Sequence, residues 1–168
     1  MIKWRKFLVG SGKARAGFVG LLDQSNVSAA GVGSVATGAL NLLTATLRAN
    51  ALYKNAMRIR IVAEGSFAAN GNNKEIQIQI GGTVIFDTGV LTDNNVPWYL
   101  EAYLVRTGSK AQFSYGFIFG GTTLRAQTRT AGLVIDNTVD QVISVTALTA
   151  IANNDILAND LQVEALTL

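Results

Sequence analysis

The sequence predicts an all-β protein, an antiparallel β-sandwich of jelly-roll type with an extended N-terminal arm. Three observations predict it. Apolar and polar residues alternate in stretch after stretch, as they must when successive strand side chains point to opposite faces and one face is buried. Turn-forming Gly, Asn and Asp recur about every ten residues and mark off some nine or ten short strands. No stretch carries the apolar period of an amphipathic helix. Regular strand spacing of this kind belongs to sandwiches and barrels, and eight or more strands without disulfides favour a jelly roll.

Composition narrows the chemistry. The 168 residues suffice for one domain with a real core. Apolar residues make up 49% and charged residues 15%, against about 25% charged in typical soluble domains. Thr, Ser, Asn, Gln and Gly, or a partner, must therefore cover much of the surface. The chain has no Cys and no His. Disulfides, thiolate metal sites and Ser/His/Asp or Cys/His catalysis are thereby excluded. We expect no enzyme activity and no cofactor. The formal net charge of +3 is uneven: residues 1–22 hold five of the fourteen basic residues and none of the eleven acids. The body is slightly acidic, which argues against a nucleic-acid partner.

Residues 1–38 read as the extended arm and a flexible connection, and residues 39–168 as the sandwich. In the arm, Lys3, Trp4, Arg5, Lys6, Phe7 and Leu8 are candidate partner contacts, the rings to dock in a neighbour and the cations to meet an acidic surface. The apolar run Phe7-Leu8-Val9 is too short for a signal peptide. Gln24 to Leu47 lacks charge, but its scattered Ser, Asn and Thr side chains argue against membrane insertion.

The body opens at Ala39 to Leu47, with Leu40, Leu42 and Thr44 expected on one face and Asn41 and Leu43 on the other. Arg48 to Asn55 reads as a loop with Leu52 plugging the core. Met57 to Glu64 alternates, with Met57, Ile59, Ile61 and Ala63 on the apolar side. Ile76, Ile78 and Ile80 alternate with Gln77 and Gln79, then Gly81-Gly82 makes a two-residue hairpin into Thr83 to Asp87. Pro97, the one proline, starts the next strand, where its missing N–H is tolerated. Trp98, Leu100, Ala102 and Leu104 there alternate with Tyr99, Glu101, Tyr103 and Val105. Phe113, Tyr115, Phe117 and Phe119 share a face of the strand after it, and Gly120-Gly121 reads as a second hairpin. Thr122 to Thr130, Gly132 to Asp136, Gln141 to Leu148 and Asp160 to Leu168 complete the set. The expected interior is lined by Trp98, Phe117, Ile59, Ile61, Leu104 and Val145.

Few motifs point to chemistry. Asp87 with Asp93, Asp136 with Asp140 and Asp155 with Asp160 flank loops and supply oxygens of the kind calcium takes, but none has EF-hand spacing. Backbone capping explains Asx-rich turns equally well. No metal site is expected. Gly31-Val32-Gly33 and Gly10-Ser11-Gly12-Lys13 lack the rest of any phosphate-binding motif. Tyr99 and Tyr103 are the candidate contacts of the body, on a face suited to stacking on sugar rings or to an interface.

The order of pieces resembles a known family. It is carried by Asn41-Leu42-Leu43-Thr44, Ala49-Asn50-Ala51-Leu52, the run Met57 to Ala68, Gly81-Gly82-Thr83-Val84-Ile85-Phe86-Asp87-Thr88, Trp98-Tyr99-Leu100-Glu101-Ala102, Leu104-Val105-Arg106-Thr107-Gly108, Asn153-Asn154-Asp155-Ile156 and Leu161 to Leu166. This resembles jelly-roll domains of tailed-bacteriophage virion proteins, both capsid decoration or cement proteins and tail-fibre tips. The resemblance spans about residues 40–168 and brings no catalytic residues. It implies a virion structural protein, assembled in the host cytoplasm. The foremost expectation is a decoration protein that self-associates, as a trimer, and stabilises the outer shell by binding the major capsid protein. The alternative is a tail-fibre or baseplate tip that binds a host-surface carbohydrate or receptor.

Overall fold

Ile59, Ile61 and Ala63 are wholly buried and Met57 nearly so, while Arg58, Arg60 and Glu64 face outward. The period of two in this stretch thus separates a core face from a wet one. The computed structural model describes residues 19–26, 31–34, 39–108, 110–121, 123–148 and 152–166. Among them the strands are β1 (Val19–Asn26), β2 (Val32–Gly33), β3 (Leu40–Leu47), β4 (Arg58–Phe67), β5 (Ile76–Ile80), β6 (Thr83–Asp87), β7 (Pro97–Gly108), β8 (Ala111–Gly120), β9 (Thr123–Leu133), β10 (Gln141–Ala147) and β11 (Ile156–Leu166). The larger sheet runs β1-β11-β4-β7-β8-β9, with β2 also on β11, and the smaller runs β3-β10-β5-β6. All pairings between strands are antiparallel.

The pairs nest. β5 pairs β6, β4 pairs β7, β3 pairs β10 and β1 pairs β11, and successive pairs lie in alternate sheets. One long hairpin rolled in this way is the jelly-roll topology, here with the β8–β9 hairpin added to one edge. The isoleucines of β4, β5 and β10, the leucines of β7 and Ile156 and Leu161 of β11 fill the space between the sheets. Each such side chain contributes about 1.5–3 kcal/mol on burial.

Four expectations change. β1 and β2 belong to the larger sheet, so the sandwich begins before residue 39. In β3 the register shifts between the partners of Val145 and Thr146, and the resulting bulge buries both Leu42 and Leu43 and leaves Asn41 and Thr44 exposed. At the β8–β9 turn Gly120 pairs Thr123, so the loop residues are 121–122, with Gly121 at a φ of 56°. Gly132 and Leu133 close β9 across a bulge at Gly132 (φ 77°), where a separate strand over 132–136 was expected.

The phase of β8 also differs from the expected one, which put Phe117 in the interior. Phe117 lies on the outer face with Phe113, Tyr115 and Phe119, and the inward positions of β8 are Gln112, Ser114, Gly116, Ile118 and Gly120. Space and polar satisfaction decide this phase. A Cβ on Gly116 would lie 2.6 Å from the Glu101 carbonyl and 2.7 Å from the Phe86 ring. Ser114 Oγ donates to the Ile85 carbonyl at 2.6 Å, and the Gln112 amide both donates to and accepts from the backbone of Ile135. Polar groups paired in this way are tolerated inside.

The seams between the sheets are closed by side chains. The Asp23 carboxylate of β1 accepts the Thr46 N–H of β3 at 2.6 Å, and Gln127 Oε1 of β9 accepts the Asp87 N–H of β6 at 2.8 Å. Each occupies a donor on an edge strand of the smaller sheet, where an open row of such groups invites further pairing.

Beneath one end of the sandwich lies a polar knot. Lys74 is fully buried, and its Nζ donates to the Asn70 carbonyl (3.0 Å), Asn70 Oδ1 (3.1 Å) and the Asn72 carbonyl (3.0 Å). Asp155, also fully buried, accepts the Asn70 and Asn72 side-chain amides and the Ala152 N–H. We predict that Lys74→Met, which strands two carbonyls, lowers stability by about 3 kcal/mol, since each buried unsatisfied group costs about 1–3 kcal/mol. A lower urea midpoint at unchanged m-value would show it; an unchanged midpoint would refute it.

Candidate functional site

The outer face of the larger sheet is a lattice of cross-strand rows. Arg58, Val105, Phe113 and Ala131 form one end. Next come Arg60, Tyr103 and Tyr115, then Val62, Glu101, Phe117 and Ala126. Glu64, Tyr99, Phe119 and Leu124 form the other end. Six aromatic residues of β7 and β8 thus share one surface, because both strands present their rings at alternate, in-phase positions. Tyr103 stacks on Tyr115 (centroids 4.8 Å apart, planes at 16°), Phe113 on Tyr115 at 6.2 Å, and Tyr99 leans on Phe117 at 6.4 Å.

Glu101 sits at the centre of this face with its side chain 10% exposed. It accepts the Tyr99 hydroxyl at 2.8 Å, the Tyr103 hydroxyl, and Arg60 at 2.5 Å. Arg60 also donates to Glu164 at 3.1 Å and to the Tyr99 hydroxyl at 3.1 Å. Both tyrosines are thereby drawn along β7 toward residue 101. Burial pushes the Glu101 carboxyl upward, but the hydrogen bonds from Arg60, Tyr103 and Tyr99 outweigh it and hold the carboxyl below the ordinary glutamate value. The bond to Glu101 raises Arg60 further. Burial, then the bond to Glu101, raises Tyr99, and the same causes push Tyr103 up to about 12.

The row that contains Glu64 opens into a cleft of about 360 Å³ lined by Glu64, Gly65, Pro97, Trp98, Tyr99, Phe119, Gly121 and Asn159. Its floor is held from below. A bulge in β11 between Ala158 and Asp160 re-aims the strand beside Gly65. Gly65 has no room for a side chain: a Cβ there would lie 1.9 Å from the Leu157 carbonyl and 2.6 Å from the Trp98 ring. Trp98 Nε1 donates to that same carbonyl at 3.1 Å, and its ring meets Phe67 at 6.2 Å. The Phe67 segment in turn joins the knot, where the Ala68 N–H bonds the Asp155 carbonyl. Over this rigid floor Phe119 is 46% exposed and is stacked on no other ring among the described residues. One wall of the cleft is therefore aromatic and the other carries a carboxylate and an amide.

Of the residues marked from sequence, Tyr99 and Tyr103 come together on Glu101, and Tyr99 also lines the cleft. Lys3, Trp4, Arg5, Lys6, Phe7 and Leu8 lie outside the described residues. Sequence reasoning missed Arg60, Glu64, Glu101, Phe119 and Asn159 as site residues. A glutamate two positions from each of two tyrosines in one strand was a usable signal for Glu101. Asn159 had none, because its position depends on the bulge. Asp136 caps Thr138, Asp140 takes the Ala49 N–H and Arg48, and Asp155 binds the knot. Among the described residues no group of three or more acids is placed to hold a metal ion.

No family model matches the chain, and no curated protein is significantly similar to it. Among solved structures it is similar to a protein of unknown function from Shewanella oneidensis MR-1 (7% identity, 90% of this chain and 77% of that one, TM-score 0.44). It is similar to the CBM36-1 domain of a multidomain xylanase from the hindgut metagenome of Trinervitermes trinervoides (14%, 88% and 96%, TM-score 0.37). It is also similar to the CBM2 module of the evolved Dit protein of Lactobacillus casei BL23 phage J-1 (11%, 82% and 76%, TM-score 0.37). These likenesses are of strand arrangement; the functional reading rests on the chain's own side chains.

Two outcomes are expected for the Glu101 cluster. A group whose folded pKa is raised stabilises the fold below its unfolded value and loses that contribution as pH climbs through the folded one. For Tyr103 the window runs from about 10 to about 12. Part of the tyrosinate absorbance at alkaline pH should therefore appear late, and Tyr103→Phe should remove that part. If the late part survives in the variant, the assignment is wrong. A lowered carboxyl works in the opposite sense, present above the ordinary range and lost as pH falls through the folded value. Wild type should accordingly lose stability in acid more steeply than Glu101→Gln, measured by urea midpoints on descending through the carboxylate range.

Proposed function

We propose that the protein is a carbohydrate-binding module and that the cleft between Phe119 and Glu64 is its site. The observation that supports this most is Phe119, a large apolar ring left half in water above a floor built not to move. A pyranose has an apolar C–H face and a rim of hydroxyls. Phe119 and Pro97 offer the first a wall, and Glu64 and Asn159 offer the second acceptors and a donor. The Glu101 cluster anchors the Tyr99 hydroxyl and so fixes the ring that lines the cleft. No catalytic step is proposed.

This favours the tip-module role over capsid decoration. Decoration by burial of sheet edges has less support, since Asp23 and Gln127 already occupy donors at both seams. A place on the virion and self-association as a trimer belong to the proposal through the resemblance alone. Copy number per virion and sedimentation test them: a few tens of copies or fewer indicate a tail position, and a monomer at micromolar concentration removes the trimer.

The site is tested by a glycan array followed by calorimetry on the best ligand. Phe119 is 46% exposed, so covering that part is worth about half of the roughly 1.5–3 kcal/mol of a full burial, and Phe119→Ala should weaken binding by about threefold to tenfold. An array without signal, or binding that Phe119→Ala leaves intact, would overturn the reading.

A further inference from the structure

Among the described residues Glu64 is the charged side chain that lines the cleft. Asp160 of β11 is the direct cross-strand neighbour of Glu64, and like charges so placed repel. Among the described residues Asp160 receives side-chain hydrogen bonds from neutral groups, Gln162 Nε2 at 2.6 Å and Gln24 Nε2 at 3.4 Å, and neither Glu64 nor Asp160 has a cation within ion-pair distance. Arg60, two residues from Glu64 on the same face, is engaged by Glu101 and Glu164. Arg125 on β9 donates to the Val90 carbonyl. A carboxylate on the wall of a cleft, over a low-dielectric floor of Trp98 and Phe67, attracts the opposite charge and repels its own.

We infer that Glu64, with Asp160 behind it, is the residue that determines specificity, and that the cleft selects amino sugars carrying a protonated amine and rejects uronic acids. Neutral sugars fall between. The inference rests on the carbohydrate reading and adds the ligand's charge to it. Phe119 supplies affinity for any pyranose, whereas Glu64 supplies discrimination, because a carboxylate accepts hydroxyl donors from all sugars but gains Coulomb attraction only from an amine.

The test uses the full chain and length-matched β-1,4-linked oligomers of glucosamine, glucose and glucuronic acid, titrated at about pH 6, where the amine is protonated. At low salt the glucosamine oligomer should bind about threefold to fivefold more tightly than the glucose oligomer, the size of one solvent-facing ion pair. The glucuronic acid oligomer should bind more weakly than either. The glucosamine advantage should shrink in high salt. Glu64→Gln should bring the glucosamine-to-glucose ratio close to one, whatever it does to the absolute affinities, and Asp160→Asn should lower that ratio in part. A ratio unchanged in Glu64→Gln, or glucuronic acid bound as well as glucose, overturns the selectivity. If the glucose oligomer binds, weakens in Phe119→Ala and shows no charge preference, the carbohydrate reading stands and this inference falls. If none of the three oligomers binds and the array is also blank, both fall.

Discussion

Everything in this protein hangs on β4 being hydrogen-bonded on both sides, to β11 and to β7, so that each of its faces is committed. Its inner positions, Ile59, Ile61, Ala63 and Phe67, are core. Its outer positions hold Arg60 in the Glu101 cluster and Glu64 at the cleft. A slip of one residue would exchange the two sets, placing an arginine and a glutamate inside at a cost no pairing there could offset. The strongest stabilising pattern in the chain and the most chemically loaded surface are therefore two readings of one strand.

Rigidity reaches the cleft from beneath. The Lys74, Asn70, Asn72 and Asp155 knot ties the loop after β4 to the loop before β11. Trp98 closes the gap above it by filling the space that Gly65 leaves empty and donating to the Leu157 carbonyl. The bulge at Asn159 follows directly on the strand segment so pinned. A cleft whose floor consists of backbone, an indole and buried hydrogen bonds keeps its shape without a ligand. Ordering such a site on binding a ligand would cost little.

The outer aromatic face divides its labour. Tyr99, Tyr103, Phe113, Tyr115 and Phe117 turn much of their surface to one another, and Glu101 holds two of their hydroxyls. Phe119, at the end of the row, is stacked on no other ring among the described residues, and with Tyr99 it lines the cleft. An aromatic left open at the end of a stacked series is where a further ring would add most.

Several parts of this protein were legible in the sequence because they follow from the strand period and from turn chemistry, both of which are local. The β-sandwich, the inward set on β4, β5 and β7, the Gly81-Gly82 hairpin and the plug at Leu52 belong here, as does the grouping of four aromatics on β8. So did Tyr99 and Tyr103, as rings on the face of β7 opposite its core set. What alternation cannot say is which face is inside when neither is plainly polar. On β8 the answer came from Phe86 crowding Gly116 and from backbone partners for Ser114 and Gln112, all supplied by other strands. On β3 and β11 single-residue bulges reset the phase, and no local signal marked them. The cleft is of this second kind throughout. Glu64, Phe119 and Asn159 lie on three strands and meet only because β11 and β8 flank the β4–β7 pair, and a distance across a sheet is a property of the pairing and of no single segment.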